Sequence, residues 1–488
     1  MPLPRTQEEC TPPAASHDVS HTGISNISGD TKVSDSHQGG EHGSSDCVDS
    51  MATPGFHDGT ICRANARSPS KSTGDRTIST QMMLCGPIRA NLGYVFFDRK
   101  DKYHAYLYFV RSVALIIPAC GTGLRNGYQQ VAQLALSSPV LLDTLISVSS
   151  VYMHLHGLVP QSVALRRQCK ALASLRNSVD SLTMQAEISP HDLSRLRRDL
   201  LATILLQITV EIANGTSVIQ THVGYAFQLF QSLKYDKQKP TSSVGVALVQ
   251  RMAFIDVLSS VFWSRRPLLS LEFWLSGEEE DYLVDEKTPS FQETTGCSLS
   301  IMSSMATISH MAADLDNGMN EDGVVSSALQ LESTLTSSSQ KLSDTPLPTT
   351  PHPNDFQYLN TVCECHLLSA LILLQRRLLR DSRAAVRVQF YLARLIDLIE
   401  CLPLGCGPDS QLSLPLYVAA HVAITHQQRD RLRSKSSSLC GIYPLKTREA
   451  LTAAFDKMWT VSDSSTATGG SGGLNDSDPM KENALFIC

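Results

Sequence analysis

The sequence is short of aromatic side chains, short of charge and short of strand signals, and each shortage narrows what it can be. Phe, Trp and Tyr make up only 6% of the 488 residues, so Leu, Val, Ile and Ala must fill any core. Charged residues make up 18% against 42% hydrophobic residues, enough apolar surface to exclude wholesale disorder. The formal charge of -6 excludes nucleic-acid binding through bulk positive charge and leaves only local basic patches. Apolar runs such as Leu367 to Leu374 stop far short of the roughly 18 residues a membrane span needs. Met1 to Arg5 opens a polar stretch without the apolar segment of a secretory leader. Cys488 does not stand four from the end, so a prenylation box is missing as well. Thirteen cysteines, an odd number scattered over the chain, suit reduced thiols better than a disulfide framework. The expectation is a soluble protein of the cytosol or nucleus.

What is present is helical patterning, on a length that would allow about three domains. Residues 1–95 read as a disordered Ser-, Gly- and His-rich tail, because apolar residues such as Val33, Val48 and Ile61 are isolated. Within it, Arg67-Ser68-Pro69-Ser70-Lys71 reads as solvated linker rather than as a nuclear signal. Residues 96–275 form a first helical half, its texture turning helical from about Tyr103. Ser138 is the expected N-cap of a helix whose first residue is Pro139, with Gly157 as its stop. A helix from Pro160 places Leu165, Cys169, Leu172, Val179 and Leu182 on one stripe, read as core. Further helices are expected from Ser189-Pro190, from Thr216 to Leu233, and from Val244 to Phe262.

Residues 276–355 read as a flexible insertion. It carries the acidic run Glu278 to Asp281, one short helix over Ile301–Met311, and a Ser-, Thr- and Pro-rich stretch over Thr334–Asn354. A second helical half follows over 356–462. Its helices are expected at Tyr358–Leu379, Ala384–Ile399 and Pro415–Leu432, with a last one capped by Thr447, and residues 463–488 form a Gly-rich tail. No alternating strand pattern stands out, so the fold class is all-α: a helical bundle or array.

No catalytic, cofactor-binding or metal-ligating residue is assigned. The glycines of Gly121 to Gly127 fit neither a dinucleotide fingerprint nor a P-loop, no His-Glu-x-x-His or Asp-Asp-x-x-Asp run occurs, and Gly469-Gly470-Ser471-Gly472-Gly473 belongs to the Gly-rich tail rather than to a Gly-x-Ser-x-Gly elbow. His191-Asp192 reads as the first turn of a helix, where a carboxylate suits the dipole, rather than as half of a phosphohydrolase site. Cys363-x-Cys365-His366 resembles a metal fragment, but residues two apart on a helix point about 200° from each other. Cys401 and Cys406 flank a turn without two further ligands and read as buried thiols. Three basic clusters read as ion-paired helix faces. They are Arg166 with Arg167, the arginines from Arg376 to Arg387, and Arg429 to Lys435.

The order of several segments resembles the fungal-specific transcription factor domain, the helical regulatory region of acriflavine-resistance-type zinc-cluster regulators. Leu200 to Leu206 and Glu211-Ile212-Ala213-Asn214-Gly215 carry the first part, followed by His222 and Gly224 to Leu229. Phe254 to Ser260, Arg265-Arg266-Pro267, Leu414 to Ala420, Arg429-Asp430-Arg431 and Trp459 carry the rest. Leu414 and Ala420 stand where many members have Trp and Gly. The resemblance implies an all-α regulator of metabolic or biosynthetic genes, including secondary metabolism, that acts in the nucleus and is not an enzyme. It also implies a core pocket that could take a small effector. Members commonly carry a six-cysteine binuclear zinc cluster, but Cys10, Cys47, Cys62 and Cys85 stand 37, 15 and 23 residues apart and cannot build one. Direct DNA binding is therefore not carried over, and a protein partner, such as a zinc-cluster transcription factor, is expected instead. The alternatives are a helical small-molecule-binding protein or enzyme that has left transcription, and a gene model lacking an upstream zinc-cluster exon.

Overall fold

The computed structural model describes residues 100–467 except 122–124, 185–188, 217, 276–287, 319–320 and 345–352. The chain divides into two compact units, Met1–Lys71 and Ser72–Cys488, and all described residues lie in the second. The expected N-terminal tail, the C-terminal tail from residue 468 onward and the run Glu278 to Asp281 fall outside the described residues.

Among the described residues the fold is all-α, without a strand. Helix α1 (Lys100–Tyr108) passes through a π-helical turn, Phe109–Val113, into a last turn at Ala114–Ile116. Then come α2 (Gly127–Ala135), α3 (Pro139–Leu155), α4 (Gln161–Met184), α5 (Pro190–Asn214), α6 (Ile219–Ser232) and α7 (Ser243–Phe262). Short α8 (Leu271–Leu275) and α9 (Phe291–Thr295) precede α10 (Leu299–Asp316) and α11 (Glu321–Asp344). The last part is α12 (Pro353–Arg377), α13 (Val386–Cys401), a 3-10 turn at Pro408–Gln411, α14 (Ser413–Val422), α15 (His426–Ile442) and α16 (Lys446–Ala467).

Local chemistry sets the helix ends. Asn126 caps α2 by accepting from the Tyr128 and Gln129 amides at 2.9 and 3.2 Å, while its Nδ2 donates to the carbonyls of Ala114 and Gly121. Ser189 caps α5 and Pro190 is its first helical residue, as the sequence predicts. Ser138 stands at the N-cap position of α3, but its hydroxyl bonds the Asp199 carboxylate of α5 rather than the helix end. Gly215 closes α5 at φ +67, where a Cβ would come within 2.9 Å of Lys446.

Helix α7 is the hub. It is buried on every side from Gly245 to Phe262 and packs against α2, α5, α6, α9 and α10. The stripe Leu248, Met252, Ile255 and Leu258 is therefore one face of a wholly enclosed rod. Ser243–Phe262 and Gln357–Arg377 are long and apolar enough to cross a membrane, but 94% and 72% of their windows are buried, so both serve here as core helices. Inside that environment Asp256 accepts from the amides of Leu268 and Leu269 at 2.9 Å each and lies 3.8 Å from Arg265. It thereby ties the turn after α7 to its middle.

Four expectations are corrected by packing. Residues 299–344, expected to hold one short helix in a flexible insertion, form α10 and α11. Helix α10 packs against both α7 and α12 and buries Ile301, Met302 and Met305. The helix expected over Pro415–Leu432 is two helices, because a capping box of Thr425 and Gln428 starts a new one. Thr447 is not a cap but the second residue of α16, with its Oγ1 buried. On α4 the buried face runs through Ala164 and Ala171, so the first part of the stripe read as core is turned outward, with Leu165 50% and Leu172 38% exposed, while Val179 and Leu182 are half-buried. Alanine lets α4 approach α3 and α5 closely, a preference that a leucine count hides.

Replacing Asp256 with Ala leaves one buried and one half-buried amide without acceptors. The expected loss is about 3 kcal/mol of stability, read as a lower urea midpoint by circular dichroism.

Candidate functional site

Two neighbouring cavities line the inner end of this hub. The first lies between α2, α5, α7 and α9, encloses about 480 Å³ of empty space in part open to solvent, and is lined by Tyr128, Leu205, Leu248, Arg251 and Glu293 among others. The second, about 720 Å³ on the same measure, lies between the end of α1, α3, α5, α7, the 3-10 turn and the segment joining α15 to α16. Arg251 lines both.

Three long polar side chains point out of α7 into protein. Gln250 donates to the Pro289 carbonyl at 2.8 Å and accepts from the Thr294 hydroxyl at 2.7 Å. Asp256 is satisfied as described. Arg251 is only 9% exposed, makes no ion pair or hydrogen bond among the described residues, and has its Cζ 5.8 Å from the centre of the Phe254 ring. Burial pushes the Tyr128 and Tyr152 hydroxyls up, and the Arg251 charge opposes this in both. Both phenols are thus neutral.

The second cavity holds another buried cation, Arg448 of α16. It donates to the Ser410 carbonyl and stacks over the Tyr443 ring at 4.9 Å, and its Nε has no partner. The nearby carboxylate of Asp409 is occupied elsewhere. It accepts from the Tyr443 hydroxyl at 2.7 Å and from the amides of Gly405 and Gly407 at 2.6 and 3.1 Å. Gly405 and Gly407 reach this position with φ of 77° and 93°, which a side chain would resist.

The residues weighed in the sequence lie elsewhere. Cys363, Cys365 and His366 are buried in α12, where Cys363 Sγ accepts from the Ser298 amide at 3.3 Å. Neither ring nitrogen of His366 has a partner, and burial lowers its pKa to about 4. Cys401 is exposed and Cys406 half-buried, which corrects the reading of both as buried thiols: Cys401 ends α13 at the surface. His191 and Asp192 are exposed in the first turn of α5. Among the described residues no group of three metal-ligating side chains converges. The basic clusters carry acidic partners: Arg167 pairs with Asp101 at 3.0 Å, Arg387 with Glu332 at 3.6 Å, and Arg431 with Asp397 at 2.7 Å.

The segments that carried the resemblance meet in space. Trp459 Nε1 donates to the Ala420 carbonyl at 2.9 Å, with Arg429 and Arg433 over its ring at 5.5 and 5.1 Å. Glu211 accepts from Gln207 at 2.7 Å and from Thr216, and lies 4.0 Å from His222. A family model described as fungal specific transcription factor domain matches residues 104–470. The chain belongs to that family. No curated protein and no solved structure matches it significantly. Within this fungal-specific transcription factor domain the segments that carried the resemblance make packing contacts, whereas Arg251 and Arg448 line the cavity. Neither arginine was singled out in the sequence. The available signal was Gln250-Arg251 interrupting the apolar run of Val244 to Phe262.

His366 gives a pH prediction whose sign is fixed. Its folded pKa of about 4 lies below the ordinary value of 6.5, so below pH 6.5 the unfolded chain takes a proton that the fold refuses. Stability is fully present above pH 6.5 and falls as pH drops toward 4. His366→Leu should remove about 3 kcal/mol of that loss and leave neutral-pH stability little changed, as read by urea unfolding at pH 7 and pH 4.5.

Proposed function

We propose that this chain regulates transcription of fungal metabolic or biosynthetic genes, secondary metabolism included, as a non-enzymatic nuclear protein. It acts through its helical domain and reaches promoters through a protein partner, such as a zinc-cluster transcription factor. The observation that carries the reading is the family match over residues 104–470, a span whose ordered segments the fold brings into mutual contact. Recruitment by a partner is supported by the outward stripe of α4, where Leu165 and Leu172 stand two turns apart in solvent. It is further supported by the wide spacing of Cys10, Cys47, Cys62 and Cys85, which suits no zinc cluster in this stretch. A small-molecule-binding protein outside transcription is the second reading, favoured by the cavities around Arg251.

Chromatin occupancy of the tagged full-length protein in its native cell separates the two. Discrete promoter peaks are expected, and they should disappear when the zinc-cluster partner is deleted. An empty map under every growth condition, with the protein in the cytosol, removes the regulatory reading.

A further inference from the structure

Burying a cation without a counter-charge is costly, and folded proteins pair, hydrate or neutralise such groups. The second cavity departs from that rule twice. Arg251 and Arg448 are 9% and 5% exposed, and neither makes an ion pair among the described residues. No Asp or Glu lines this cavity. Asp409, the nearest buried carboxylate of the 3-10 turn, already holds the Tyr443 hydroxyl and two amides. Glu293, on the wall of the neighbouring cavity, is held in the capping box of α9 by the Ser290 amide at 2.8 Å. Among the described residues these acids are thus held by their own turns, and two guanidinium groups line the cavity.

The rest of the wall says what else the space accepts. Ile212, Phe254, Leu258 and Leu414 give it an apolar side, and the Tyr152 phenol, neutral through burial, adds a polar edge. The Thr209 hydroxyl donates to the Leu205 carbonyl at 3.2 Å. We propose that this cavity binds a small organic acid, its carboxylate between Arg251 and Arg448 and its apolar body against Ile212, Phe254, Leu258 and Leu414. A guanidinium fork matches a planar carboxylate in two parallel hydrogen bonds, and a pocket walled mostly by hydrocarbon suits one compact charged head on an apolar body. Because the site joins α7 to the segment that opens α16, an acid there ties the hub to the last helix. That the acid is a transcriptional effector rests on the regulatory reading above; that it binds rests on the cavity alone.

The test is thermal unfolding of the purified full-length protein with hexanoate, benzoate, the neutral analogues hexanol and benzamide, and phenyl phosphate. At a hundred times its dissociation constant a bound acid should raise the midpoint by about 3 °C. Hexanoate or benzoate should give that shift, hexanol and benzamide should not, and R251Q and R448Q should each abolish it. Without ligand R251Q should melt at or above the wild-type midpoint, because it removes an unpaired buried cation. A fall of several degrees would mark Arg251 as a structural residue and overturn the proposal. So would equal shifts by the neutral analogues, shifts that persist in both variants, a response to phenyl phosphate alone, or no response to any acid. Promoter occupancy is measured alongside. A protein that binds acids and occupies no promoter keeps the site and loses the regulatory reading, and one that occupies promoters and ignores every acid does the reverse.

Discussion

A helix with no solvent face has nowhere to hide a polar group, and that constraint on Ser243–Phe262 organises much of this domain. Each long polar side chain on it has to be met by another part of the chain. Gln250 fixes the start of α9 through Pro289 and Thr294, and Asp256 fixes the turn that leads to α8 through Leu268 and Leu269. His310 of α10 then donates to the Leu269 carbonyl at 2.9 Å, so the same turn is bonded from two helices. Arg251 lies between these anchors, meets no acceptor among the described residues and lines both cavities.

The same constraint explains why α10 belongs to the core. Its apolar residues Ile301, Met302, Met305 and Ile308 are buried, and the helix touches both α7 and α12, the two described helices long and apolar enough to cross a membrane. Without it, two apolar faces would meet water. Methionine suits such a bridge because its unbranched side chain fills irregular gaps between helices that cross at different angles. Further along, Trp459 on Ala420 and the Phe262 ring 4.5 Å from that of Tyr417 lock α14 between the hub and the last helix. Contacts of this kind set architecture rather than ligand chemistry, so membership speaks to regulation without naming an effector.

Helix existence was legible wherever a cap and an apolar stripe coincided. Ser189-Pro190, Ser138-Pro139 and the stretch from Leu200 to Ile212 read directly, because capping and burial on most sides are both local in sequence. The corrections arise where a neighbour decides. Ser138 turns to Asp199, a residue sixty-one positions away that no local rule connects to it. The first part of the α4 stripe faces outward because alanines offered the closer approach. The helix expected to end at Leu432 breaks at Thr425, where a hydroxyl and a Gln amide outcompete continuation of the helix. Cysteine spacing alone showed that Cys363 and Cys365 diverge, but Cys401 needed the end of α13 to be placed.

The sequence by itself determined a helical fold with a large aliphatic core, which follows from composition and short-range periodicity, and family membership, which follows from the order of its segments. It also held Arg251 in plain view, a charge inside an apolar run. Only the tertiary structure decided that this charge has no partner among the described residues, that Arg448 comes to the same cavity from nearly two hundred residues away, and that Asp409 is already committed to its own turn. The physical reason is that a residue type fixes what a side chain needs, whereas the fold alone fixes whether that need is met.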